Sequence, residues 1–355
     1  VGCADGEGSE EGQVNRKGAV SAEMQRYAGM AVDRDVPGTL FGEGVRIGKL
    51  IAPGWHRAFY ERAFPNREWS EQALALSRKH CPSTVEFMEG VAQGVGVEFS
   101  DLFDSWFEEL DDAPVSPDRG CTDVAVLTLT GDVLIAHTND VGPDAMPVLA
   151  NITVRGRPTV TMIFSHGGPS LAVNGAGIVF SGNQVDSNDV RPGIPRAVLY
   201  VEACWSRSIE EAAKVFLNKD RASSYHNLLA DQTGRVIGYE ASAEKAVALT
   251  MKNGVLVHTN HYLGIAGVES REGEGLDGSV ARLYRALMSV RSTRTIYGDV
   301  SATSLLRLMH THGDGGLCRH GYTDTAFSVL FFPKDRMFLY GPGHPCETDY
   351  FPVRY

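Results

Sequence analysis

Residues 120–140 read GCTDVAVLTLTGDVLIAHTND, and the fold turns on this stretch. Thr122 to Thr130 alternates with period two, Gly131-Asp132 is turn chemistry, and Val133 to Thr138 alternates again. That pattern predicts a β-hairpin beginning at Cys121. Immediately upstream, DDAPVSPDRG (111–120) carries two prolines, three aspartates and a closing glycine, the composition of an exposed loop. A chain cut in that loop at Gly120/Cys121 would leave Cys121 as a new N-terminus at the first position of a strand.

Such a terminus has distinctive chemistry. A thiol attacks a carbonyl as thiolate and needs a base beside it. An α-amine has a reference pKa of about 7.7–8.0, close enough to neutrality to take the thiol proton and later return it to a leaving amine. Gly120, lacking Cβ, allows the strained backbone in which the thiol reaches its own preceding carbonyl. The second strand brings Asp140 back towards Cys121, where a carboxylate could hold the new ammonium or orient the thiol. On residue type alone, however, a free cysteine is usually a small packed hydrophobe. The same dipeptide also occurs at Gly2-Cys3, ahead of an acidic, Gly-rich stretch over residues 1–20 with the composition of a loose tail. The six cysteines form no CxxC pair, so reduced thiols are expected.

Outward from the hairpin, residues 55–110 have a helical period: Trp55, Phe59 and Ala63 step by four, and Ser83-Thr84-Val85-Glu86 has the spacing of a capping box. Downstream, strand-like runs recur at Val148–Val154, Thr159–Phe164, Gly177–Ser181, Leu228–Ala230, Val236–Ala241, Ala246–Met251, Val255–Thr259, Phe327–Phe332 and Met337–Tyr340. Helical patterns interrupt them near Arg196–Trp205, Ile209–Leu217, Ser279–Val290 and Ser301–Met309. Antiparallel strands with helices grouped apart from them predict an α+β protein of stacked sheets covered by helices.

Composition excludes several classes. A net charge of -11 repels a phosphate backbone and an anionic membrane surface. No run approaches the roughly 20 apolar residues of a membrane span, and the opening VGCADGEGSEEGQ lacks the features of a signal peptide. No nucleic-acid or membrane partner is expected, and a cytoplasmic location is. His310, His312, Cys318 and His320 match no standard zinc spacing, so no metal is expected there. His166-Gly167-Gly168 reads as a strand-turn, because no GxSxG elbow accompanies it.

Several blocks together resemble the acyl-coenzyme A:isopenicillin N acyltransferase family of cysteine N-terminal nucleophile (Ntn) hydrolases, and more distantly the choloylglycine hydrolase and penicillin V acylase group. They are Gly120-Cys121-Thr122 through His137-Thr138-Asn139-Asp140, Val173 to Ile178, Ser181-Gly182-Asn183, Ser223 to Asn227, Asp231 to Glu240, HTNHY at 258–262, Ser279 to Arg282, LCRH at 317–320 and Gly343 to Cys346. The resemblance covers roughly residues 50 to 355.

It implies a four-layer αββα Ntn fold, made as a precursor and cut into an α chain of residues 1–120 and a catalytic β chain of residues 121–355. Cys121 matches the nucleophile, Asp140 the carboxylate near it, and Asn260 the asparagine whose amide helps form the oxyanion hole. Asn183 falls near the second oxyanion donor, and Arg282 matches the arginine that steadies the cysteine and carboxylate. Gly120, Cys121 and Ser224 fall at processing positions. Where the bile-salt and penicillin V group has arginine, His137 stands here, and Asn139 replaces an aromatic residue; both are expected to face substrate and leave its identity open. The implied substrate is a small-molecule amide or acyl thioester, and an uncleaved, non-catalytic scaffold is the rival reading. No cofactor is expected, a coenzyme A thioester is compatible as acyl donor, and the partners are the two chains of one precursor, with room for a homo-oligomer.

Overall fold

The computed structural model describes residues 38–59, 67–107, 109, 120–142, 145–321 and 323–355. Residues 1–20, where a tail was expected, and the loop residues 111–119 lie outside them.

Helices come first: α1 (Leu40–Phe59), α2 (Arg67–His80), α3 (Pro82–Val95) and α4 (Phe99–Ser105). α1 and α3 pack backbone to backbone. Gly44 and Gly48 share one face of α1, Gly90 and Gly94 one face of α3, each pair four residues apart. A Cβ at Gly44 or Gly48 would overlap the carbonyl oxygen of Phe87 or Val91, and one at Gly90 or Gly94 that of Phe41 or Val45. The expected capping box at Ser83 is not formed. α3 starts two residues earlier than that box would set it, at Pro82, with Cys81 at the N-cap and no side-chain cap. Proline's fixed φ and missing N–H suit the first helical position, and Ser83 Oγ instead accepts from Arg157 Nη2 at 2.6 Å.

The hairpin that decides the fold is present as β1 (Gly120–Leu127) and β2 (Val133–Val141), paired from Gly120↔Asp140 to Leu127↔Val133. Its turn is longer than the expected Gly131-Asp132. Thr128 N donates to Asp132 O, and Gly131 takes a left-handed φ of 82°. Cys121 is accordingly the second residue of the strand.

The remaining strands are β3 (Val148–Ile152), β4 (Val160–Ser165), β5 (Gly168–Asn174), β6 (Ile178–Asn183), β7 (Tyr225–Asp231), β8 (Val236–Ala241), β9 (Ala246–Thr250), β10 (Val255–His258), β11 (Asp324–Phe332), β12 (Met337–Pro342) and β13 (Phe351–Arg354). They form a six-stranded sheet ordered β10-β1-β2-β11-β12-β13 and a seven-stranded meander from β3 to β9. Two helices, α5 (Arg196–Cys204) and α6 (Ile209–Phe216), are inserted between β6 and β7, and α7 (Gly273–Tyr297) and α8 (Ala302–Met309) between β10 and β11.

Three cores define the layers. Ile47, Met88, Phe103, Val198 and Phe216 from α1 and α3 to α6 pack on Val160, Met162 and Phe180 of the seven-stranded sheet. Between the sheets lie Ala125, Ile135, Val173, Val179, Leu228, Val329 and Phe331. Val124, Val126, Ala136 and Leu330 on the far side of the six-stranded sheet meet Ala286 and Val290 of α7 and Leu305 and Met309 of α8. The architecture is therefore α+β, a four-layer αββα Ntn fold. The helices before residue 120 share a core with strands after it. Because β1 has a covered layer on each face, its residues are buried from Gly120 to Val126, which explains a strand apolar on both faces.

Gly48→Ala is expected to destabilise the fold by about 1–3 kcal/mol through overpacking, despite alanine's helix-propensity gain of about 1 kcal/mol. Gly42→Ala in the same helix, where a Cβ meets only Thr39 Oγ1 at 3.1 Å, is expected to be neutral or stabilising. Denaturant unfolding of both variants checks this; equal midpoints would contradict the backbone contact.

Candidate active site

Strand parity sets the site. Ala125 of β1 faces the intersheet core while Val124 and Val126 face α7 and α8, so Cys121 and Asp123 point between the sheets and Thr122 towards the helices. The register puts Asn139 beside Cys121 and His137 beside Asp123. Asp140, paired with Gly120, is on the helix side.

The helix side is held by α7. Its buried residues, Gly275, Ser279, Arg282, Ala286 and Val290, recur every three or four positions, and Ser279 and Arg282 are the polar members of that stripe. Arg282 Nη1 donates to Cys121 O at 2.8 Å and to Thr122 Oγ1 at 3.0 Å, and Nη2 donates to Asn260 Oδ1 at 2.8 Å. Ser279 Oγ accepts from Asn260 N at 2.7 Å. Burial lowers the Arg282 pKa to about 10, with the Asp140 charge working in the opposite direction. Asp140 is raised by its own burial and drawn down by Arg282, Arg319 and the hydrogen bond that its Oδ1 accepts from Thr325 Oγ1 at 2.8 Å. Its Oδ2 is buried and has no hydrogen-bond partner.

Gly120 has a steric role that the sequence did not suggest. A Cβ there would overlap the Arg282 guanidinium and lie 2.9 Å from Asn260 Oδ1. The glycine's value is close approach of the arginine, and no left-handed φ is involved at this position.

On the other face of the strand the thiol is 7% exposed. Asn260 grips Cys121 at two atoms: its Oδ1 accepts from Cys121 N at 2.8 Å, and its Nδ2 donates to Sγ at 3.2 Å and to Gln184 O at 2.9 Å. Burial pushes the thiol pKa up; hydrogen bonds from the Asn183 and Asn260 side chains and from the Gln184 backbone N–H pull it down, and the Asp123 charge raises it again. Asn260 Nδ2 is thus hydrogen-bonded to the sulfur, with the Asn183 amide and the Gln184 backbone N–H close enough to lower its pKa, and the oxyanion of an attacked carbonyl would form beside these groups.

The orientation of Asn183 is fixed from behind. Its Oδ1 lies 3.1 Å from His226 Nδ1 and 3.0 Å from His258 Nδ1. The two rings stack at 3.6 Å, and His258 Nε2 faces Glu240 Oε1 at 2.9 Å. Burial and the neighbouring His258 lower the His226 pKa well below its ordinary value. Asn183 Nδ2 is buried and has no hydrogen-bond partner, and the Asn183 side chain lowers the thiol pKa.

Of the residues expected at the site, Asn260 and Asn183 lie by the Cys121 sulfur, while Arg282 holds the Cys121 carbonyl from the helix side with Asp140 as its counter-charge. Asn139 lies beside Cys121 with Oδ1 buried and unpartnered. His137, expected at the substrate, is 1% exposed and lies between the sheets, with Nδ1 2.9 Å from Asp123 Oδ1 and 3.2 Å from Ser181 Oγ. Ser224 is buried, and Asn227 Nδ2 donates to its carbonyl at 2.6 Å and to its hydroxyl at 3.2 Å; no hydrogen bond joins it to Gly120 or Cys121. Asp123, Ser181 and Gln184 were not anticipated. Ser181 Oγ donates to Asp123 Oδ1 at 2.5 Å across the two sheets. Period two from Cys121 alone would have put Asp123 on the thiol's face.

A family model for acyl-coenzyme A:6-aminopenicillanic acid acyl-transferase matches residues 128–307, just over half of the chain. The match includes Asp140, Asn183, Asn260 and Arg282 and begins shortly after Cys121. Among solved structures, a mutant of the conjugated bile acid hydrolase from Clostridium perfringens is similar at 13% identity and a TM-score of 0.42, covering 66% of this chain and 97% of the other. A Caenorhabditis elegans ortholog of N-acylethanolamine-hydrolyzing acid amidase is similar at 13% identity and a TM-score of 0.40, covering 60% and 93%. No curated protein matches by sequence. Among the described residues, no helix is long and apolar enough to cross a membrane.

Removing the Asn183 amide by Asn183→Ala is expected to lower turnover by on the order of 10²–10³ while the protein stays folded. Steady-state kinetics beside a circular-dichroism melt measures this; unchanged turnover would remove Asn183 from the donor set.

Proposed function

The chain belongs to the acyl-coenzyme A:6-aminopenicillanic acid acyl-transferase family, and from that premise we propose that it cuts itself between Gly120 and Cys121 and then transfers or hydrolyses the acyl group of a small N-acylated metabolite through a Cys121 thioester. The observation that carries this reading is the grip of Asn260 on both ends of one residue, with Oδ1 at Cys121 N and Nδ2 at Cys121 Sγ.

In the first stage Cys121 Sγ attacks the Gly120 carbonyl carbon. The C–N bond breaks as the nitrogen takes a proton, and water hydrolyses the resulting ester of Gly120 with the thiol. Cys121 then carries a free α-amine. The unpartnered Oδ2 of Asp140, across the strand pair from Gly120, is an acceptor for the ammonium form.

In turnover the α-amine takes the thiol proton, and the thiolate attacks the substrate carbonyl. Asn260 Nδ2, Asn183 Nδ2 and Gln184 N–H stabilise the oxyanion. The leaving amine or thiol departs with the proton, and water or a second amine then takes the acyl group from sulfur. An acyl-coenzyme A thioester suits the same site as donor, because coenzyme A would leave as a thiol. Asn139, beside the sulfur, is the residue that meets the substrate. A buried thiol with a raised pKa needs this amine: it is not a preformed thiolate at neutral pH.

Intact-mass measurement of the purified chain is expected to give two fragments meeting at Gly120/Cys121, and Cys121→Ala is expected to give one uncut, inactive chain. A single stable chain from the unsubstituted protein, or cleavage that persists in Cys121→Ala, would refute the processing step.

A further inference from the structure

Behind Asp140, four metal-binding side chains from two separate segments aim at one point. They are His312, Cys318 and His320, on the connection from α8 to β11, and Cys346 in the turn after β12. Their ligand atoms all lie within 4.8 Å of one another. His312 Nε2 and His320 Nε2 are 3.3 Å apart, Cys318 Sγ is 3.4 Å from both His320 Nε2 and Cys346 Sγ, and His320 Nε2 is 3.3 Å from Cys346 Sγ.

Hydrogen bonding does not account for this packing. His320 Nε2 makes three such contacts, whereas a ring nitrogen offers one hydrogen or one lone pair. A disulfide does not account for it either, since a bonded pair sits at about 2.05 Å and both cysteines are free. A shared cation does. Zinc bonds of about 2.3 Å to sulfur and 2.0–2.1 Å to nitrogen, arranged tetrahedrally, give edges of about 3.3 Å for N–N, 3.5 Å for N–S and 3.8 Å for S–S. The four measured edges fall within about 0.4 Å of these values. Two thiolates and two imidazoles are also the donor set that favours zinc over the hard, oxygen-seeking cations.

We propose that His312, Cys318, His320 and Cys346 bind one zinc ion as a closed structural site. Binding releases the two thiol protons to solvent and leaves a neutral dithiolate-diimidazole centre. With four protein ligands no position remains for substrate or water, so the ion's role is to hold the chain. The frame for it is built: Cys318 N donates to Thr311 O at 2.9 Å and closes the loop at its base, and the His320 ring lies against the His344 ring at 3.8 Å, tilted by 42°. Arg319, between two of the ligands, donates its backbone N–H to Thr325 Oγ1 at 2.9 Å, and Thr325 Oγ1 donates to Asp140 Oδ1 at 2.8 Å. The zinc thereby anchors the segment against which Asp140 rests. His310, grouped with these residues by sequence, faces away and stacks with Tyr350. Cys346, too far along the chain to be counted in a spacing motif, is the fourth ligand.

The binding claim does not depend on the acyl-transfer reading, and its test does not measure activity. The full chain, kept under a phosphine reductant, is given zinc and dialysed against metal-free buffer; elemental analysis should then find one zinc per chain. Cobalt(II) in its place should give a tetrahedral spectrum with sulfur-to-metal charge transfer. Cys318→Ser and Cys346→Ser should each weaken binding by at least about 10²-fold, since even outer-sphere changes cost 10–100-fold, whereas Cys121→Ala should bind as before. Should a serine variant fail to fold, the cobalt spectrum of the unsubstituted chain decides alone. Failure to retain zinc, a cobalt spectrum without thiolate bands, or full retention by both folded serine variants would overturn the site.

Discussion

The active region depends on one buried guanidinium. Arg282 is 2% exposed and ties together Cys121 O, Thr122 Oγ1 and Asn260 Oδ1, with Asp140 as its counter-charge. Burial works against both charges, and their mutual attraction offsets part of that cost. Because arginine is planar and carries its donors in a fixed fork, one side chain can fix the second and third residues of a strand and the amide beside them. α7 must dock where its buried stripe brings Arg282 to β1, and the residue before Cys121 must be glycine to admit it. The same contact fixes the Asn260 amide: with Oδ1 held by Arg282 and by Cys121 N, Nδ2 is turned to the sulfur.

A second layer behaves similarly on the intersheet side. The stacked histidines 226 and 258 hold the Asn183 oxygen, and Glu240 holds His258. The donors around the thiol are thus preset by groups that never meet a substrate, as electrostatic stabilisation requires. Asp123, Ser181 and His137 form a polar floor below the thiol in place of apolar packing.

Much of this was legible in the chain. The hairpin over 120–141 follows from period two and a turn, and Cys121, Asn183, Asn260 and Arg282 converge as their family blocks imply. What escaped has physical reasons. β5 opens on Gly168-Pro169, and β13, of four residues, contains Pro352, so both read as loop. α7 begins at Gly273, with Gly275, Asp277 and Gly278 in its first turns, residues of low helix propensity whose burial depends on partners distant in sequence. The contacts of His137 were not legible because its neighbours Asp123 and Ser181 come from two different sheets. A local motif does not report such a contact, nor the convergence of Cys346 on a loop near residue 318.

The central claim is that acyl groups ride on the sulfur of an N-terminal Cys121. Its most direct test is tandem mass spectrometry of the protein acid-quenched during turnover of an acyl-coenzyme A or acyl-amine. The account predicts a peptide that begins at Cys121 with a free α-amine and carries the acyl mass on sulfur. An acyl group on another residue, or on a peptide still running through Gly120, would contradict it.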